Sequence, residues 1–130
     1  MKLASAGIVT VNGLSMMLPA PSQVCMTFSS CPLWTTASQV LWKRVPEGAK
    51  VDFYEMDNCH GDIIFSTDPA SEDEAHKLRK KGKVVSSFLL MEYSQYPTQG
   101  IVTQCFDNSD DYRERVDAAN ITLVENNRLY

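Results

Sequence analysis

The sequence contains few of the residues from which catalytic centres are built. It has two histidines, His60 and His76, and it has neither a glycine-rich phosphate loop nor the G-x-S-x-G elbow of a serine hydrolase. Cys59 precedes His60, but neighbouring residues of an extended hairpin point to opposite faces, and a disulfide-bonded cysteine is not a nucleophile. Asp57 and Asp62 flank His60, and we interpret all three as solvated turn residues rather than metal ligands. We predict a protein that is not an enzyme and needs no cofactor.

Positive charge is also scarce. The 130 residues include 12 Lys and Arg against 16 Asp and Glu, which gives a net charge of -4 and a pI near 5.1. A basic run lies within residues 77–83, but acidic residues directly precede it and no aromatic residue is interleaved to stack on bases. We interpret this run as a solvated surface and expect no nucleic-acid partner.

Long apolar runs are missing, so we expect no membrane span, for which about twenty apolar residues are needed. Residues 1–22 have one lysine, then an uncharged and mainly apolar stretch, then small residues up to Ser22 where a signal peptidase selects them. This pattern predicts a signal peptide cleaved after Ser22, a mature domain of residues 23–130, and secretion. The alternative is an N-terminal strand or buried segment, because Asn12 and Gly13 interrupt the apolar stretch.

The four cysteines all follow the predicted cleavage position: Cys25, Cys31, Cys59 and Cys105. An even number of cysteines in a small secreted chain predicts two disulfides, and the spacing leaves all three pairings open. The spacing contains no C-x2-C knuckle of the kind that binds zinc, so we predict no metal site. Asn120, in the triplet Asn-Ile-Thr, has the form of an N-glycosylation acceptor, which agrees with secretion.

Short apolar segments separated by turn residues predict an all-β fold. The predicted strands cover residues 23–28, 40–45, 50–55, 62–67, 84–93, 100–106 and 121–124. The Pro-Glu-Gly turn at 46–48 predicts that the second and third strands form a hairpin. A capping-box pattern, Ser71 with Glu74, predicts one or two helical turns within residues 71–81. Together these elements indicate one small Greek-key β-sandwich that disulfides stabilise.

Aromatic residues are spread along the predicted strands. The strand and flanking aromatics are Trp34, Trp42, Phe53, Tyr54, Phe65, Phe88 and Tyr93. We expect them in the core or in half-buried positions rather than on a carbohydrate-binding platform. A row of exposed tyrosines and tryptophans on one sheet would indicate such a platform.

A spaced pattern occupies the middle of the chain: Tyr54, six residues, Gly61, and then the pair Ser86-Ser87 within a predicted strand. This pattern resembles the Greek-key motif of the βγ-crystallin family, in which an aromatic residue, six residues and a glycine are followed by a serine pair in a later strand. The resemblance covers residues 50–90. It implies a βγ-crystallin-like fold. Small secreted microbial members of that family have antimicrobial, protease-inhibitory and virulence-associated roles.

The chemistry of these residues agrees with that pattern. A strand that folds over on itself needs a residue that tolerates positive φ, as glycine does. An aromatic side chain packs over such a turn, and a serine of a later strand can bond the backbone groups that leave the ladder. We therefore predict structural roles for Tyr54, Gly61, Ser86 and Ser87.

Calcium binding is the property of this family that the sequence supports least. In members that bind calcium, an acidic or amide pair lies ahead of the serine pair, with two residues between the pairs. Those positions here hold Gly82 and Lys83, which supply no side-chain oxygen for a hard cation. We expect the site to be lost.

The function that we predict is interaction. The sequence indicates a secreted, monomeric, toxin-like, effector-like or inhibitor-like protein that acts on a protein or glycan target outside the cell. A calcium-stabilised structural protein and a carbohydrate-binding module are the alternatives.

Overall fold

The structure is a computed structural model that describes residues 4–67, 74–79 and 82–105. These residues form nine strands and a 3-10 turn, Asp57–Cys59, and contain no α-helix. The strands are β1 (Ser5–Thr10), β2 (Ser15–Pro19), β3 (Cys25–Thr27), β4 (Ala37–Lys43), β5 (Lys50–Met56), β6 (His60–Ser66), β7 (Ala75–Lys77), β8 (Ser87–Met91) and β9 (Ile101–Thr103). The predicted all-β, disulfide-stabilised sandwich is confirmed.

The strands form two sheets, one in the order β2-β1-β4-β7 and one in the order β6-β5-β8-β3-β9. Neighbouring strands are antiparallel, except that β3 and β9 are parallel. The halves β1 to β4 and β5 to β8 have the same connectivity. In each half the first strand lies between the second and the fourth, and the third strand joins the other sheet. This exchange of third strands joins the two halves.

The main core lies between the two sheets. Period-2 alternation sends Ala6 and Ile8 of β1 and Val51 and Phe53 of β5 into this core, and all four are fully buried. The ring of Phe53 lies 6.0 Å from that of Phe88 on β8, between centroids. The core therefore depends on residues from both halves of the described chain.

The predicted hairpin of residues 40–45 and 50–55 is wrong. Strand β4 lies between β1 and β7, whereas β5 lies between β6 and β8 of the other sheet. The turn after Pro46, closed by a hydrogen bond from the Ala49 nitrogen to the Pro46 oxygen at 3.0 Å, takes the chain from one sheet to the other. Both strands direct alternate apolar residues into one core, and the turn residues do not encode which sheet each strand joins.

The predicted helical turns within residues 71–81 are also wrong where the structure describes that segment. Ala75–Lys77 forms β7, which pairs with β4 through partners such as Val40 and His76. The unpaired edge of β4 offers backbone hydrogen bonds to this segment, and they override the local capping pattern. The His76 ring stacks on Phe65 at 4.1 Å, and Phe65 stacks on Trp42 at 5.6 Å.

Residues 5–19, which belong to the predicted signal peptide, form β1 and β2 in this structure of the uncleaved chain. Strand β1 pairs on both sides, with β2 and with β4, so cleavage after Ser22 would remove two strands of the four-stranded sheet. Cleavage and secretion stay predictions. The predicted strand 121–124 and the predicted glycosylation acceptor Asn120 lie outside the described residues. No helix among the described residues has the length and apolar character that crossing a membrane requires.

Candidate functional site

The outer face of the five-stranded sheet, which points away from the main core, carries a second apolar cluster. It consists of Tyr54 on β5 with Leu89 and Met91 on β8, and Cys59 packs against it. These residues alternate with Phe53 and Phe88 of the main core, so both faces of β5 and β8 are covered. The covering elements are the tip of the β5–β6 hairpin and the loop between β8 and β9.

The serine pair holds the folded hairpin in place. Ser86 Oγ donates to the Glu55 carbonyl at 2.7 Å, and Ser87 Oγ donates to the Met56 carbonyl at 2.6 Å. Ser87 Oγ also accepts the Cys59 amide at 2.9 Å. Both hydroxyls thus bond backbone groups at the point where β5 leaves its ladder.

Tyr54 and Gly61 lie at the two ends of the same fold. Tyr54 is 7% exposed and starts the turn, and Gly61 follows the 3-10 turn at a φ of 80°. An added Cβ at Gly61 would lie 2.8 Å from Met56 Cγ. The structure therefore places Ser86 and Ser87, at the start of β8, against the hairpin that carries Tyr54 and Gly61.

Two disulfides are present, and they settle the pairing that the spacing left open. Cys25 on β3 bonds Cys59 at the hairpin tip, and Cys31 bonds Cys105. The Asn58 amide donates to Thr27 Oγ1 at 2.9 Å beside the first disulfide. The hairpin tip is thus fixed to β3 both covalently and by hydrogen bonding.

A buried glutamine, Gln23, organises the loop between β8 and β9, and no sequence pattern indicated this role. Its Oε1 accepts the amides of Glu92 at 2.6 Å, Tyr93 at 3.0 Å and Ser94 at 3.3 Å. Its Nε2 donates to the carbonyls of Ser94 at 3.0 Å and Tyr96 at 2.8 Å. One fully buried side chain therefore bonds three consecutive residues, 92–94, and Tyr96 beyond them.

A pocket of about 370 Å³ lies between the hairpin tip and this loop. Its lining consists of Asp52 and Tyr54 from β5, Asn58, Cys59, His60 and Ile63 from the hairpin, and Gln95, Tyr96, Pro97 and Ile101 from the loop and β9. We call this set the outer-face pocket. The Cys25–Cys59 disulfide holds one wall and Gln23 holds the other, so the pocket is preformed.

The carboxylate of Asp52 contributes a charge to this lining. Asp52 is 3% exposed; its Oδ1 accepts a hydrogen bond from Ser66 Oγ at 2.5 Å and lies 3.9 Å from Lys50 Nζ. Burial, and then the negative charge of Asp52, raise the pKa of Tyr54 above its ordinary value of 10.0. The Tyr54 hydroxyl thus stays a hydrogen-bond donor into the alkaline range.

Three large side chains of the pocket lining are exposed at the surface, with exposed fractions of 63% for Tyr96, 51% for Ile63 and 50% for Ile101. Tyr93, in the loop between β8 and β9, is 66% exposed. Tyr93 differs from the expectation that the aromatic residues are core or half-buried. Hydrogen bonds with the side chains of Gln99 and then Thr98 lower the pKa of Tyr93.

The two histidines lie on different sheets. His60 begins β6 at the pocket, and His76 lies on β7 against Phe65. Among the residues that the structure describes, no group of three His, Cys, Asp or Glu is arranged to hold a metal ion. Lys83 pairs with Ala37 in an isolated bridge, beside Gly82.

Comparison with known protein families, with curated proteins and with solved structures found no match for this chain.

Proposed function

We propose that this is a secreted, non-enzymatic interaction protein that binds a target outside the cell through the outer face of its five-stranded sheet. The observation that carries the proposal is the outer-face pocket, which is preformed and surrounded by exposed tyrosine and aliphatic side chains. Tyrosine is enriched at binding surfaces because it offers a large contact area at a low entropic cost.

The rigidity of both pocket walls supports a binding role. A preformed surface loses little conformational entropy when a partner docks, so more of the contact energy appears as affinity. The disulfide at the hairpin tip and the five hydrogen bonds of the Gln23 side chain supply this rigidity. The two disulfides fit an oxidising, extracellular environment.

The repeated connectivity of the two halves and the bonds of Ser86 and Ser87 support a βγ-crystallin-like scaffold. Ser38 on β4 adds to this support. Its Oγ donates to the Val9 carbonyl near the end of β1 at 3.2 Å. Ser86 Oγ donates in the same way to the Glu55 carbonyl near the end of β5. A scaffold does not determine a target, so the proposal depends on the pocket and its surroundings.

A peptide-display selection against the oxidised, full-length chain tests the proposal. Selected peptides should lose at least about tenfold in affinity with Tyr96→Ala and with Ile101→Asp, which alter the pocket surface. The matched control is Val11→Asp, because Val11 is 43% exposed in the turn between β1 and β2 of the other sheet. Binding that responds equally to all three variants, or to none of them, would contradict the proposal.

A carbohydrate-binding module is the second candidate, because the exposed Tyr96 lines the pocket together with the amide side chains of Asn58 and Gln95. Exposed aromatic rings stack on sugar faces, and amide side chains bond hydroxyl groups. A glycan array probed with the wild-type chain and with Tyr96→Ala tests this candidate. Glycan signals that Tyr96→Ala removes would support it.

A further inference from the structure

We infer that the outer-face pocket binds a cationic side chain of a partner protein, a guanidinium or an ammonium group, with Asp52 as its counter-charge. This inference rests on the proposed function, since it names the chemistry that the same surface recognises. The buried carboxylate, the tyrosines and the apolar side chains of the pocket lining support it.

Asp52 carries a buried carboxylate. A buried charge is costly unless it is paired and hydrogen-bonded. Asp52 has the Ser66 hydroxyl as a donor, but its nearest described cation is Lys50 Nζ at 3.9 Å, on a side chain that is 45% exposed. A neutral ligand would further dehydrate this carboxylate without supplying charge. A cationic ligand compensates for the lost water, which favours it over a sugar.

The walls fit the same ligand. The rings of Tyr54 and Tyr96 line the pocket, and a cation over a tyrosine ring gains a further electrostatic attraction. The side-chain carbonyls of Asn58 and Gln95 can accept hydrogen bonds from the N–H groups of a guanidinium. Three kinds of contact thus converge on one positive group.

The entrance suits the stem of a long basic side chain. Ile63, Pro97 and Ile101 line the pocket next to its polar groups, and lysine and arginine pack their methylene stems along apolar surface. A pocket of about 370 Å³ holds one such side chain. His60 also lines the pocket.

Titration of the ¹⁵N-labelled, oxidised chain with N-acetyl-arginine amide tests the inference, followed by two-dimensional NMR at pH 8. The amide signals of Asn58, Gln95 and Ile101 should shift, because these residues line the pocket. N-acetyl-citrulline amide has nearly the same shape without the charge. It should bind at least about tenfold more weakly, since one charge-assisted contact is worth that factor.

Variants give the second arm of the experiment. Asp52→Asn keeps an acceptor for Ser66 and should weaken the binding of N-acetyl-arginine amide about tenfold. The control Glu47→Gln makes the same charge change at an exposed turn and should leave this binding unchanged. Tyr96→Leu alters an exposed side chain and should also weaken binding without unfolding the chain. Equal affinity for arginine and citrulline amides, or unchanged affinity in Asp52→Asn, would overturn the inference.

The outcomes separate this inference from the proposed function. Display-selected peptides that compete for the pocket but lack basic residues would overturn the cationic ligand and keep the proposed interaction role. Glycan binding at the pocket would do the same. Failure of every peptide, glycan and arginine probe to bind the folded chain would overturn both.

Discussion

The hydroxyl of Ser87 lies 2.9 Å from the backbone nitrogen of Cys59, although 28 positions separate the two residues in sequence. The same hydroxyl donates to the Met56 carbonyl, so Ser87→Ala removes both bonds of a buried group. We expect the free energy of unfolding to fall by about 1–3 kcal/mol, measured by guanidinium denaturation of the oxidised protein. Ser15→Ala on β2, where the serine is exposed, is the control and should change stability by less than about 0.5 kcal/mol. Equal effects of the two changes on stability would show that the hydrogen bonds of Ser87 do not stabilise the fold.

A second prediction concerns Gly61 and its backbone. Gly61→Val places a β-branched side chain at a φ of 80° and against Met56. We therefore expect the free energy of unfolding to fall by about 2 kcal/mol or more. Gly61→Asn should lose less, because asparagine tolerates the left-handed region. Thermal unfolding of both variants gives the comparison. A melting temperature that valine leaves unchanged would show that the hairpin fold does not need this glycine.

How much the sequence could predict is clearest at the hairpin. The roles of Tyr54, Gly61, Ser86 and Ser87 could be anticipated, because glycine at positive φ and serine beside freed carbonyls follow from local chemistry. The role of Gln23 could not. Its bonds reach residues 69 to 73 positions away, and a glutamine in the turn ahead of a short strand has no pattern that indicates a distant loop.

The sequence also could not predict which strands share a sheet. Both sheets of a sandwich face one core, so the apolar residues of β4 and β5 do not assign either strand to a sheet. All three residues of β7 are exposed, so its strand conformation depends on pairing with the edge of β4 and not on burial of its own side chains. The pocket joins residues from two stretches of the chain, 52–63 and 95–101, which no local signal brings together.

Gln23 gives a third prediction. Gln23→Met keeps the approximate volume but removes all five side-chain hydrogen bonds, so the amides of residues 92–94 lose a buried acceptor. We expect the loop to be cleaved by proteases at least about tenfold faster and the unfolding free energy to fall by about 2–4 kcal/mol. Gln39→Met, at a half-buried position on β4, is the control and should leave the cleavage rate unchanged. A slow cleavage rate in Gln23→Met would show that other contacts hold the loop.

Alkaline pH provides a fourth prediction. The folded state raises the pKa of Tyr54 above 10.0, through burial and then Asp52, so the folded chain holds this proton more tightly than the unfolded chain does. Stability is therefore fully present below pH 10 and falls as the pH rises above it, by at most about 1.4 kcal/mol per pH unit. Tyr54→Phe should flatten this fall. The pKa of Tyr93 is shifted the other way, so Tyr93→Phe should not flatten it. Urea denaturation at pH values between 9 and about 11 measures these slopes, and identical slopes for wild type and Tyr54→Phe would contradict the assignment.

The fifth prediction concerns the N-terminal strands. A chain that starts at Gln23 lacks β1 and β2, and with them the buried side chains of Ile8, Met16 and Leu18. These three side chains alone are worth roughly 5–9 kcal/mol, as much as the whole stability of many domains. Strand β4 would also lose its β1 partner. We therefore expect the oxidised chain 23–130 to lack the near-ultraviolet circular dichroism and the dispersed NMR spectrum of the full chain. The N-terminal residue of protein recovered from culture medium gives the second measurement, because a residue that precedes β1 would contradict the predicted cleavage after Ser22. A chain 23–130 that folds with native spectra would instead favour cleavage after Ser22 and a sandwich that does not need its first hairpin.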